Sequence, residues 1–153
     1  TMVHKTLIAI RHGDRNPGGG LSPKGLTQAK RLGERFESLY EGQRPVLLSS
    51  PQRRCLETLE PISRLSGCEV VINASLDEGG EPRKKTRIFL QDWKSQSAPL
   101  TIICSHGDVI PVLLEQIVGV RADLSKGAWA QIEQLGEEVK LTWLLQSLEM
   151  RAP

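Results

Sequence analysis

Short aliphatic runs alternating with longer amphipathic stretches constrain this chain more than any other feature. Residues 5–10, 45–49, 69–72 and 100–104 are too brief for helices and apolar enough to be buried strands. Between them lie segments of helical spacing. Ser22 offers an N-cap and Pro23 a first helical residue. Leu26, Ala29, Leu32, Phe36 and Leu39 then recur at helical intervals to about Tyr40. A second helix starts at Ser50-Pro51 and runs toward Ser66, bent or broken near Pro61, with Gly67 as its C-cap. A polar helix is expected over about 82–96 and an apolar one over 109–118. Residues 128–135 and 139–146 alternate around Gly136-Glu137, which predicts a hairpin. The pattern predicts an α/β fold: a three-layer domain with a mainly parallel central sheet, an antiparallel edge and helices on both faces. One domain is expected over residues 2–150, and Thr1 ahead of Met2 reads as a cloning remnant.

A chain of 153 residues can bury a core without disulfides or a structural metal. Cys55, Cys68 and Cys104 form no Cys-x-x-Cys pair, and no histidines stand at zinc spacing. Reduced thiols and no metal site are therefore expected. Twenty basic residues against 18 acidic leave a formal +2, which argues against a dedicated nucleic-acid surface. No apolar run approaches the roughly 20 residues that span a bilayer. The first run stops at Arg11 with no signal-peptide pattern, so the expected location is cytoplasmic.

Three polar clusters fall at predicted strand ends: Arg11-His12-Gly13, the segment 49–54, and Ser105-His106-Gly107. Open α/β sheets bind ligands at the carboxyl ends of their strands. His4 lies in the expected frayed start and is read as structural. His12 and His106 each follow a strand and precede a glycine, which allows a sharp turn and the approach of a ligand. Arg53 and Arg54 open a helix against the dipole preference, as an anion-facing residue would. Neighbours on a helix face different directions, so one of the two is expected in solvent. Two histidines and two arginines describe a phosphate-handling site, with a neutral imidazole as nucleophile and guanidinium forks on the phosphoryl oxygens.

Here the motifs resemble those of the histidine phosphatase superfamily, also called the phosphoglycerate mutase-like family. Arg11-His12-Gly13 looks like its signature. The segment from Leu21 to Ala29, Leu-Ser-Pro-Lys-Gly-Leu-Thr-Gln-Ala, is similar to the family's Leu-Thr-x-x-Gly-x-x-Gln-Ala. The segment from Ser50 to Thr58 resembles Ser-Pro-x-x-Arg-Ala-x-x-Thr, with Cys55 in the alanine slot, and selects Arg54 over Arg53. Leu76-Asp77-Glu78 resembles the Leu-x-Glu that carries the family's general acid. The segment from Cys104 to Ile110 resembles the second histidine motif. The resemblance implies that His12 attacks phosphorus and becomes a phosphohistidine, and that Arg11, Arg54 and His106 bind the phosphoryl oxygens. It implies that Glu78 protonates the leaving oxygen and then activates water. No metal or organic cofactor is implied.

Departures qualify the match. Asp14-Arg15-Asn16-Pro17 resembles the Arg-His-Gly-x-Arg-x-Pro of the family's acid phosphatase and phytase branch, which makes Arg15 a phosphate ligand and Asn16 a candidate donor. That branch takes its acid directly after the second histidine, where this chain has Gly107 and then Asp108. Asp14 and Asp108 stay as alternatives to Glu78. Only about one helix separates Glu78 from the fourth strand, so water reaches the site and hydrolysis is favoured over mutase chemistry. The compact form resembles small bacterial phosphohistidine phosphatases. The expected substrate is a phosphorylated small molecule or a phosphoprotein. A silent phosphate-binding module and a mutase are the alternatives. Arg83, Lys84, Lys85 and Arg87 read as a solvated helix face or as a basic rim to the site. Trp93, Trp129 and Trp143 read as sheet packing, or for the hairpin pair as a dimer surface.

Overall fold

The computed structural model describes residues 4–147. Thr1, Met2 and residues 148–150, on which the expected domain limits fall, lie outside the described residues. Four strands build the parallel part of the sheet: β1 (His4–Arg11), β2 (Val46–Ser49), β3 (Val70–Ile72) and β4 (Leu100–Ser105). β5 (Trp129–Leu135) and β6 (Glu138–Leu145) form the hairpin. The helices are α1 (Pro23–Tyr40), α2 (Arg53–Ser66), α3 (Pro82–Ser95) and α4 (Ile110–Val118), with a 3₁₀ turn at Ala74–Leu76. The sheet order is β3-β2-β4-β1-β5-β6, and β5 runs antiparallel to β1. This is the expected three-layer α/β arrangement.

The layering follows from a reversal of direction. From β1 the chain steps outward through α1 to β2 and through α2 to β3, and both helices cover one face. It then turns back through α3 to β4, and right-handed crossovers put that helix on the other face. β1 feeds both layers by alternation. Leu7 and Ala9 join Phe89, Leu90, Trp93, Ile110 and Leu113. Ile8 and Ile10 join Leu32, Phe36, Leu59, Ile62 and Trp129. A strand buried on both sides reads as an unbroken aliphatic run, which is how β1 was legible.

Several expectations are corrected. Leu26 and Leu39 are 55% and 39% exposed; the inward face of α1 is instead Gly25, Gln28, Ala29, Leu32, Gly33 and Phe36. Small residues face inward because α1 packs closely on α2: a Cβ at Gly33 would lie 2.9 Å from the Pro61 side chain. α2 runs unbroken through Pro61, whose contact with α1 offsets the lost backbone hydrogen bond. His4 is not frayed but paired with Leu135, with its Nε2 3.1 Å from Glu133. Trp93 and Trp129 are buried, one in each layer, while Trp143 on β6 is 45% exposed. Among the described residues no helix is long and apolar enough to cross a membrane.

Candidate active site

β1 and β4 are neighbours in the sheet, and their register sets Arg11 opposite Ser105. The next residue on each strand is a histidine, so His12 and His106 emerge side by side with ring centroids 5.2 Å apart. They open onto a cleft of about 420 Å³ lined by Arg11, Arg15, Arg54, Glu78 and Lys126 as well as the two histidines.

His12 is 5% exposed. Its Nδ1 lies 2.8 Å from the Gly13 carbonyl, which only accepts, so Nδ1 carries the proton and Nε2 a lone pair. Burial, chiefly, pushes its pKa down to about 4, and the charges of His106, Arg54 and Arg11 act in the same direction. The imidazole is therefore neutral across the physiological range. Arg54, in the first turn of α2 and 4% exposed, donates from Nε to His12 Nε2 at 3.3 Å. Its Nη2 meets Glu78 Oε1 at 2.6 Å. Arg53, its neighbour, points outward and pairs with Glu57 at 3.3 Å. Arg11 donates from Nη1 to the Leu124 carbonyl at 2.7 Å, and its buried Nε has no partner among the described residues.

Glu78 is carried by a braced loop. Leu76 is fully buried, and its carbonyl accepts from Ser105 Oγ at 2.6 Å. Asp77 Oδ1 accepts the Glu78 backbone N–H at 2.8 Å, and Lys85 Nζ donates to the Asp77 carbonyl. Asp108 Oδ2 accepts the Gly79 N–H at 2.8 Å. The hydrogen bond and charge of Arg54 hold the Glu78 carboxyl below its usual pKa, with His106 and Arg15 adding to the effect.

The loop after β1 is braced from α1 and α2. The Gly13 N–H donates to Thr58 Oγ1 at 3.0 Å, and the Asp14 N–H donates to Gln28 Oε1 at 2.7 Å. The glycines after the histidines also serve packing, and Gly107 is part of the cleft lining. A Cβ at Gly13 would press on the Gly25 backbone at 3.0 Å, and one at Gly107 would sit 2.8 Å from Arg11 Cζ. Neither adopts a positive φ.

Of the candidate residues, Arg11, His12, Arg15, Arg54, Glu78, His106 and Asp108 line the cleft. Asn16 does not: its amide donates to the Leu21 carbonyl at 3.2 Å and closes its own loop. Asp14 also stands outside the lining. Its carboxylate accepts from Ser22 Oγ at 2.7 Å, which lowers its pKa, and faces Lys126 at 3.5 Å. Arg83, Lys84, Lys85 and Arg87 are absent from the lining, and Lys84 pairs with Glu81 at 3.9 Å. Asp123, Leu124 and Lys126 complete the cleft and were not anticipated. The signal for them was topological: a strand antiparallel to β1 begins where β1 ends, so the approach to β5 must border the site. Among the described residues no group of three or more His, Cys, Asp or Glu side chains is set to hold a metal. Cys55 and Cys104 are buried free thiols beneath the cleft, and burial raises the Cys104 thiol well above its usual range.

The chain belongs to the histidine phosphatase superfamily, branch 1, whose sequence profile matches residues 7–88. No curated protein sequence matches it. Solved structures that share the fold include three phosphatases. The protein histidine phosphatase SixA complexed with tungstate is 16% identical with a TM-score of 0.77, over 92% of this chain and 96% of that one. A mycobacterial glucosyl-3-phosphoglycerate phosphatase bound to VO3 is 16% identical with a TM-score of 0.75, over 94% and 100%. A phosphoserine phosphatase from Entamoeba histolytica, in complex with 3-phosphoglyceric acid, is 18% identical with a TM-score of 0.73, over 94% and 98%.

Proposed function

We propose that this chain, as one domain over residues 2–150, is a metal-independent phosphatase that hydrolyses a phosphate monoester or a phosphohistidine through a covalent phosphohistidine on His12. The observation that carries the reading is the state of His12. Its proton is committed to the Gly13 carbonyl, its pKa lies at about 4, and its Nε2 keeps a lone pair that faces the cleft and meets only the Arg54 guanidinium at 3.3 Å. Nε2 attacks phosphorus as the bond to the leaving oxygen breaks. Arg11, Arg54 and His106 hold the equatorial oxygens, with Arg15 at the mouth. Glu78 gives the leaving oxygen a proton, then takes one from the water that cleaves the phosphorus–nitrogen bond and restores His12. In the free protein Glu78 is an anion on Arg54. A phosphoryl dianion that takes over Arg54 removes that stabilisation and brings negative charge beside the carboxyl, so Glu78 picks up the proton it needs.

The structures this chain resembles bear the names of a protein histidine phosphatase and of two phosphatases of small esters. Both substrate classes therefore enter the test. Phosphate release from p-nitrophenyl phosphate and from a phosphohistidine protein is measured with EDTA present, for wild type, His12→Ala and Glu78→Gln. Turnover by wild type and none by His12→Ala supports the reading. A strong loss in Glu78→Gln on the ester alone assigns the acid. Wild-type protein that binds tungstate but hydrolyses neither substrate is a phosphate-binding module instead. Isomerisation of a phosphoglycerate faster than phosphate release identifies a mutase.

A further inference from the structure

His106 is 2% exposed, and its two ring nitrogens meet different surroundings. Nδ1 looks into the cleft, 3.6 Å from Glu78 Oε2 and 3.4 Å from Arg54 Nη2. Nε2 looks into the protein, 2.8 Å from Ser50 Oγ, just beyond the end of β2. The Ser50 hydroxyl has one proton to give, and its oxygen already accepts the Gln52 N–H at 3.3 Å. Two nitrogen or oxygen acceptors are in reach of that proton, beside the weaker Cys55 sulfur. His106 Nε2 stands at 2.8 Å and Asp77 Oδ1 at 3.5 Å. Asp77 Oδ1 is also occupied, by the Glu78 N–H at 2.8 Å and the Gln52 side-chain amide at 3.0 Å. Distance and vacancy both send the Ser50 proton to the imidazole.

We infer that Ser50 is a positioning residue that holds His106 as the tautomer protonated on Nδ1. The imidazole then presents a phosphoryl oxygen with an N–H; the opposite tautomer would present a lone pair and repel it. The inference rests on the reading of His106 as a phosphoryl ligand. Three groups favour the opposite tautomer. Arg54 Nη2, which can only donate, lies 3.4 Å from Nδ1, but it is engaged with Glu78 Oε1 at 2.6 Å, while Glu78 Oε2, an acceptor, stands 3.6 Å from Nδ1. Cys55 Sγ lies 3.6 Å and Asp77 Oδ1 4.0 Å from Nε2, where either would accept a proton held there. Both are farther than Ser50, and the Cys55 thiol donates to the Ser105 carbonyl at 3.8 Å.

Ring ¹⁵N chemical shifts of the full chain, labelled and unliganded at mildly alkaline pH, distinguish the tautomers. Wild type is expected to give a protonated-type Nδ1 and a bare-type Nε2 for His106. Ser50→Ala is expected to move population to the Nε2–H form and to weaken tungstate binding by about tenfold. Ser50→Thr, which keeps the hydroxyl, restores both. A bare-type Nδ1 in wild type overturns the inference, as does a Ser50→Ala spectrum identical to wild type. If Ser50→Ala does not fold, the wild-type spectrum decides alone. Absence of any turnover by wild type would instead overturn the phosphatase reading and leave the tautomer assignment intact.

Discussion

The ends of β1 and β4 start from the same materials and are finished differently. Each strand is buried, and each is followed by a histidine and then a glycine. At the end of β1 the ring is fixed by the carbonyl of the very next residue. No side-chain substitution removes that acceptor, so the nucleophile's orientation is local. At the end of β4 the ring is fixed by Ser50, 56 positions away, itself held by the N–H of Gln52, the residue that caps α2. The proposed attacking histidine is thus secured by its own backbone, and the proposed binding histidine by a side chain from another segment. A site can be robust in its nucleophile and fragile in its ligands even when both carry the same side chain.

The largest expected effect lies at the β1 end. His12→Ala should lower kcat by about 10⁴-fold or more while the fold survives, measured as phosphate release alongside circular dichroism. The same residue burdens stability in acid. Its pKa is about 4 in the folded chain against an ordinary 6.5 once unfolded, so the unfolded chain binds the proton more readily between those values. Wild type should lose stability as pH falls from 6.5 toward 4, by about 3 kcal/mol relative to His12→Gln. Urea unfolding at pH 7 and at pH 4 checks both size and sign; an equal change in the two proteins would break the asymmetry drawn between the histidines.

Glu78→Gln comes next. It should cost about 10²- to 10⁴-fold in kcat on an ester. It should also tighten inorganic phosphate binding at neutral pH, because Arg54 loses its internal anion. Calorimetry of phosphate binding separates the two roles. Gly107→Ala tests the contact between the two strand ends. The added Cβ, 2.8 Å from Arg11 Cζ, should displace the guanidinium and raise KM by about tenfold with kcat less affected. Asn16→Ala should be smallest: under about threefold in kcat/KM, with about 1 kcal/mol lost from the loop bond to Leu21.

The parallel strands, the helix starts and the principal cleft-lining residues were legible because each rests on a local signal. Ser22 and Pro23 announced α1, and apolar runs ending in Arg-His-Gly and Ser-His-Gly announced β1 and β4. What was hidden is tertiary. Asn16 sat within a convincing motif, yet its amide is spent on a carbonyl five residues away. Lys126 and Asp123 carry no motif; they border the cleft because β5 begins beside the end of β1. Leu26 and Leu39 fit helical spacing, but Gly25 and Gln28 face the loop after β1 and Gly33 faces α2. Periodicity identifies a helix without fixing which small residues its neighbour demands.

The sheet order carries a further consequence for how the protein acquires its activity. β1 pairs with β4, and Thr6 lies against Leu100, 94 positions further along the chain. That closure is among the most non-local steps available to a domain of this size, and non-local pairing is slow. The two imidazoles meet only when it is complete. During refolding, helical signal should therefore return before anion binding does, and recovered binding should report the last closure of the sheet.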